Sequence, residues 1–88
     1  MGQGGPVDVI AVCLASGQMQ PLRVRLEGED RQLVRLDISR VVSVREVAYV
    51  GVEAMIYLCQ AEAGERRHLF ELRYTIRSHH WDLMQWVY

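Results

Sequence analysis

Three histidines, two cysteines and one close-set aspartate are the residues best equipped for bond-making chemistry in this chain. The run RSHHWDLMQWVY near the C-terminus holds His79, His80 and Asp82 almost side by side. A zinc or copper centre needs three or four such ligands converging from fixed spacings. Neighbours on an extended strand point to opposite faces, so His79 and His80 cannot both serve one ligand sphere there. In a turn they can converge, but only His68, Asp82, Cys13 and Cys59 remain to complete the shell, and no spacing matches a ligand pattern. The stretch is read as a solvated turn feeding a last strand, with no metal and no cofactor.

Thiol chemistry has little more to work with. Cys13 and Cys59 lie far apart, without CxxC spacing, inside apolar runs where cysteine usually acts as a small buried hydrophobe. A cysteine–histidine pair can assemble in space, yet a small barrel offers little concave volume for an ordinary substrate. There is no phosphate-cradling glycine loop and no nucleophile elbow. Carboxylates on the strands alternate with arginines, as in a solvated cross-strand ladder. The expectation is a protein that is not an enzyme, with no catalytic residue and no small-molecule substrate.

Binding is better represented. All ten basic residues are arginine, the side chain suited to bidentate contact with carboxylates or phosphates, although codon bias in a GC-rich genome gives the same count. Arg23, Arg25, Arg35, Arg73 and Arg77 are all placed on outward strand positions. If their strands are neighbours they form a basic patch tempered by Asp37 and Glu71, and small barrels bind single-stranded nucleic acid that way when aromatic rings are at hand for stacking. A mixed-charge face in water is the plainer reading. A second feature is the far side of the last strand. If Trp81 and Leu83 fill the core, alternation turns Met84, Trp86 and Tyr88 outward as an apolar stripe. Burying such a stripe gains several kcal/mol at roughly 25 cal/mol per Å², and these residue types are enriched at interfaces. The stripe is predicted as a protein interface, a homodimer being its simplest form. Cover by the barrel's own loop or by the 45–54 segment is the alternative.

The elements that must position these residues follow a period of two. VDVIAVCLA (Val7–Ala15) is apolar on both faces except at Asp8 and reads as a central strand covered on both sides. SGQ supplies a turn at Gly17. PLRVRLE alternates, with Leu22, Val24 and Leu26 inward and Pro21 at the strand start or a sheet edge. GED (Gly28–Asp30) is a turn, and RQLVRLDIS puts Val34, Leu36 and Ile38 inward. RVVSVREV has no single parity, so a bulge or bend is predicted near Arg40–Ser43, with a short helical turn at 45–49 as the competing reading. Gly51 marks a tight turn, MIYLCQAEA a near-continuous apolar strand, and GERR a hairpin loop. HLFELRYTIR places Phe70, Leu72, Tyr74 and Ile76 inward and Glu71, Arg73 and Arg77 outward. Trp81, Leu83 and Val87 continue the core. Short strands at this spacing indicate an all-β barrel or sandwich, predicted as a small antiparallel SH3-like or split barrel of five or six strands.

Size and charge set the remaining bounds. Eighty-eight residues make one domain: a flexible tail over 1–6 and a barrel over 7–88. Half the residues are apolar and the net charge is −1, so no global field draws the chain to nucleic acid or anionic lipid. No apolar run is long enough to span a bilayer, and the cysteines suggest no disulfide. The expected location is the cytoplasm, with no membrane partner.

The segments VDVIAVCLASGQMQPLRVRLEG, ISRVVSVREVAYVG and YLCQAEAGERRHLFELRYTIRSHHWDL resemble a group of short bacterial proteins whose function is not established. The shared markers are Gly17, Pro21, Arg23, Tyr57, Cys59, Glu71, Leu72, Tyr74, Trp81 and Leu83. They are structural in character and imply no ligand or catalytic residue. The resemblance nudges a nucleic-acid role upward, because such proteins sometimes lie near DNA-repair polymerase genes, without putting it first. The expectation is a non-enzymatic module that binds itself or another protein, with nucleic acid as the alternative partner.

Overall fold

The structure, a computed structural model, describes residues 4–27 and 31–88. The expected Gly28–Asp30 turn and the first three residues of the expected tail lie outside the described residues. Seven strands account for most of the rest: β1 (Gly5–Pro6), β2 (Asp8–Cys13), β3 (Met19–Glu27), β4 (Leu33–Tyr49), β5 (Val52–Ala63), β6 (Arg66–Thr75) and β7 (His80–Trp86). No helix occurs among the described residues, and 45–49 is strand. The sheet is antiparallel, in the order β1-β7-β6-β5-β4-β3-β2, and curls into a half-barrel of seven strands rather than five or six. Its ends are joined by one segment. Gly5–Pro6 pair with β7, the Val7 N–H donates to the Trp81 carbonyl, and Asp8–Cys13 pair with β3. Gly5 and Pro6, expected in a loose tail, are therefore part of the sheet.

Bulges make the curl. Seventeen extended residues would span roughly 56 Å at 3.3 Å each, yet the longest dimension of the molecule is 36 Å, so β4 has to bend. It does so where the pairing to β5 skips Ser39 and then Val42, inside or beside the predicted Arg40–Ser43 window. The Ser39 hydroxyl donates to the Gln60 carbonyl at 3.0 Å. Leu33 to Asp37 of β4 pair with β3 and the stretch from Ile38 to Tyr49 with β5, so one strand turns the corner between two parts of the sheet.

The concave side holds the core: Val24, Leu36, Tyr57, Cys59, Ala61, Phe70, Leu72, Tyr74, Trp81 and Leu83. Trp81 stacks obliquely between Tyr74 and Tyr57, at 4.7 and 5.3 Å between ring centres. Several expectations are corrected at irregular points. β2 is an edge strand, not a central one, because β3 is its sole neighbour across Asp8–Cys13, and Ile10 and Val12 are exposed. The β2–β3 pairing skips Leu22, which faces water, while Pro21 turns inward beside that bulge; a bulge is where proline is tolerated within a sheet. Val34, at the β3–β4 end, is exposed. Ile76 is exposed because β6 ends at Thr75 and the chain turns over 76–79. Val87 is exposed as well, beyond the end of β7.

Candidate functional site

The histidine turn is held by ordinary contacts. The His79 N–H donates to the Thr75 carbonyl, and the His79 ring Nδ1 lies 2.7 Å from the Tyr74 hydroxyl. His79 takes a positive φ of 59°, a conformation histidine adopts more readily than most residues. His80 opens β7 and faces water, and Asp82 accepts a hydrogen bond from Arg73 at 3.3 Å. Among the described residues no three His, Cys, Asp or Glu side chains gather for a metal ion. Cys13 is exposed at the end of β2 and Cys59 is sealed in the core. Burial pushes the Cys59 thiol up to about 12, so at neutral pH it is protonated and a poor nucleophile.

The five arginines do not share one surface. Arg23, Arg25 and Arg35 do meet, because the β2–β3–β4 register sets Asp8, Arg25 and Arg35 in one row and Ile10, Arg23 and Asp37 in the next. A shallow hollow of about 310 Å³ lies among them. Two of the three are answered locally: Arg23 donates to Asp37 at 2.6 Å and Arg25 to Asp8 at 2.5 Å. Arg73 stands on β6 with Asp82, and Arg77 lies exposed in the turn. Tyr57, Phe70, Tyr74 and Trp81 are all committed to the core, so none of these rings is offered as a stacking platform beside the arginines.

The expected stripe of Met84, Trp86 and Tyr88 is divided by a bulge. Leu83 pairs with Leu72 but Gln85 pairs with Glu71, so Met84 is the extra residue and the alternation reverses behind it. Trp86 thereby swings to the concave side, opposite Phe70, its ring 5.3 Å from Phe70 and 5.7 Å from His68. Tyr88 sits beside the β5–β6 hairpin at Gly64–Arg67. Met84 alone stays on the convex side of the main sheet.

There it borders a groove of about 650 Å³. Its floor is Ala54 and Ile56 of β5, each 4% exposed though neither belongs to the core cluster. The cross-strand register explains the arrangement. Arg45 faces Ile56 and Val47 faces Ala54 from β4, while Arg73 and Thr75 face the same two residues from β6. Val50 and Val52 at the β4–β5 hairpin close one end. Among the described residues no carboxylate lines the groove. Both of its arginines are paired with carboxylates beyond the lining, Arg45 with Glu71 at 3.8 Å and Arg73 with Asp82 at 3.3 Å, while the Nε of Arg73 is buried without a hydrogen-bond partner. Sequence reasoning did not single out this surface. The available signal was the double-sided apolarity of MIYLCQAEA: one parity supplies Tyr57, Cys59 and Ala61 to the core, and the other supplies Ile56 and, one step earlier, Ala54 to the groove.

No family model, curated protein or solved structure matches the chain.

Proposed function

We propose that the chain is a cytoplasmic bacterial half-barrel of the SH3-like or split-barrel type. Its work is non-enzymatic: it associates with protein, its own copy or another chain, through the convex face of β4–β7. One observation supports this above the others. Ala54 and Ile56 are almost sealed from water outside the core, at the bottom of a groove whose rim leaves Val50, Val52 and Met84 exposed. Apolar floors with a few charged walls are how protein surfaces accept partners. Met84 keeps its expected place in the interface, and Trp86 and Tyr88 leave it.

Photocrosslinking in cells that make the protein tests this reading. A benzophenone side chain carried at Val52 is expected to trap a discrete protein adduct, whereas the same group at Ser16, exposed in the β2–β3 turn, traps none. Equal or absent labelling at the two positions would overturn it.

A nucleic-acid role through Arg23, Arg25 and Arg35 is the second reading, favoured by their common face. It ranks lower because Asp37 and Asp8 neutralise two of the three. Salt-dependent binding of labelled single-stranded DNA, weakened by Arg35→Ala, would raise it; no binding at low salt removes it.

A further inference from the structure

The segment that joins the two ends of the sheet outruns one of its neighbours. Gly5 and Pro6 pair with Leu83 and Asp82, and the Val7 N–H donates to the Trp81 carbonyl. The same register carried on would set Val9 beside His79, but β7 begins at His80 and the chain turns over 76–79. β2 therefore runs past the end of β7, and a hollow of about 460 Å³ opens between Val9 and His79. Backbone groups alternate in direction along a strand. The Leu14 N–H donates to Gln18 on the β3 side at 2.8 Å, and Val7 donates to β7. The N–H and C=O groups of Val9, Ala11 and Cys13 thus point away from β3, with no strand beside them among the described residues.

This edge is unguarded. Exposed edges are usually blunted by lysine, proline or another charge on the strand, and Val9–Leu14 holds none of these. Asp8, just before it, is already paired with Arg25. The bulge nearby belongs to β3, so β2 itself stays regular. Val9 and Ala11 turn toward the core, which leaves Ile10, Val12 and Leu14 on the other side, 57, 39 and 39% exposed.

We infer that the free edge of β2 pairs with the same edge of a second copy, antiparallel across a twofold axis at Ala11. The occupant follows from the strand itself. An open row of outward N–H and C=O groups is matched by another extended strand in register, and a twofold axis supplies an antiparallel one from the same residues. Centring at Ala11 uses every outward group. Val9 of each copy exchanges both bonds with Cys13 of the other, and Ala11 does so with Ala11. Centring at Ile10 would set Cys13 against Val7, already engaged with Trp81, and centring at Val12 would set Val9 against Ala15 in the turn. The Ala11 register also lays Ile10 against Val12, so the exposed aliphatic rows cover each other and no like charges meet. The hollow beside Val9 is where Cys13 of the second copy arrives. One short strand a side falls well below the roughly 20–30 residues of a standard interface, so the dimer forms only at high chain concentration. In sparse protein the adjacent turn at Ser16 has no neighbour. This edge is a different surface from the convex face of β4–β7 and is independent of it.

Sedimentation velocity from about 5 to 500 µM chain, a range suited to a small weak interface, tests the inference. The unaltered protein is expected to pass from monomer to dimer and no further, because pairing uses up the edge. Ala11→Pro deletes an outward N–H at an edge position where proline is tolerated, so it is expected to stay monomeric with its thermal midpoint little changed. If Ala11→Pro fails to fold, Val12→Lys decides the matter. That change falls on an exposed side chain, and a lysine on the edge is expected to weaken the dimer about tenfold. Disulfide trapping in Cys13→Ser protein reads the register. Facing residues of a non-hydrogen-bonded pair have Cα atoms about 4.5 Å apart, within disulfide reach. Ile10→Cys mixed with Val12→Cys is therefore expected to crosslink about tenfold faster than either variant alone. A protein monomeric throughout, a dimer that survives both Ala11→Pro and Val12→Lys, or single variants that crosslink as fast as the mixture would overturn the inference.

Discussion

The two faces of β5 are almost equally hidden from water and differ in what hides them. On the concave face Tyr57, Cys59 and Ala61 are covered by strands from the whole curl of the sheet, and the Tyr57 hydroxyl donates to the Met19 carbonyl on β3. On the convex face Ala54 and Ile56 lie below Arg45, Val47, Arg73, Thr75 and Met84, side chains that themselves border water. The first kind of cover is fixed by backbone on several sides. The second is a fringe of side chains, two of them long arginine stems able to swing aside. Equal burial therefore marks unequal commitment: one face is closed by the fold, and the other is sheltered yet open to a visitor.

Truncation on each face separates the two most sharply. Trp81→Ala removes a ring packed against Tyr57 and Tyr74 and is expected to cost about 3–5 kcal/mol, a large part of the stability of so small a domain. Ile56→Ala is expected to cost about 2 kcal/mol, the low end for such a truncation, because flexible neighbours can settle into the space and the cost depends on that collapse. Urea unfolding of the monomer measures both. If Ile56→Ala proved as damaging as Trp81→Ala, the convex face would be a second core and the distinction would fail.

How much of this could be read from residues alone depends on where the alternation runs unbroken. Through β5 and β6 every paired position advances one for one from Ala54–Thr75 to Ala63–Arg66, and the inward placement of Phe70, Leu72 and Tyr74 follows from pattern. The β4 bend was visible too, since four valines of mixed parity cannot share one face. The errors sit at strand ends, as at Val34, Ile76 and Val87, at the sheet edge in β2, and at extra residues. Leu22 and Met84 each shift the register by one, and a single step exchanges inside for outside. Nothing in LRV or LMQ distinguishes a bulged strand from a regular one, because the bulge is decided by the curvature the whole sheet needs. The groove stayed hidden for a different reason. A strand apolar on both faces says that each face is covered, but not whether by another layer, a fringe of side chains or a partner.

Alkaline pH tests the closed face alone. The Cys59 thiol, buried with no charged partner, rises from its ordinary 9.0 to about 12, and burial likewise raises the Tyr57 phenol above its ordinary 10.0. Both values are higher in the folded chain than in the unfolded one. Their contribution is therefore complete below pH 9 and is withdrawn as the pH climbs, first by the thiol from 9 to about 12 and then also by the phenol above 10. Stability should fall by roughly 1 kcal/mol between pH 8 and 10, one pH unit beyond the unfolded thiol value being about 1.4 kcal/mol. Cys59→Ala should flatten that slope whatever its own cost at pH 7. A slope unchanged in Cys59→Ala would show the thiol to be less enclosed than the concave face implies.

The smallest expected effect concerns the turn at the rim of that same face, where His79 and His80 look alike in sequence. The Tyr74 hydroxyl projects from the core to the His79 Nδ1, so His79→Ala strands a phenol at the edge of the closed side and leaves alanine on a backbone with φ of 59°. A partly exposed neutral hydrogen bond contributes about 0.5–1 kcal/mol, and that is the loss expected on thermal or urea unfolding. His79→Gly loses the same bond but relaxes the backbone, so it should cost less than the alanine change. His80→Ala, at an exposed position with no side-chain contact of this kind, should stay within about 0.5 kcal/mol of the parent. If His79→Ala were as silent as His80→Ala, the Tyr74 hydroxyl would be satisfied by water, and the closed face would end one residue pair earlier, at Trp81.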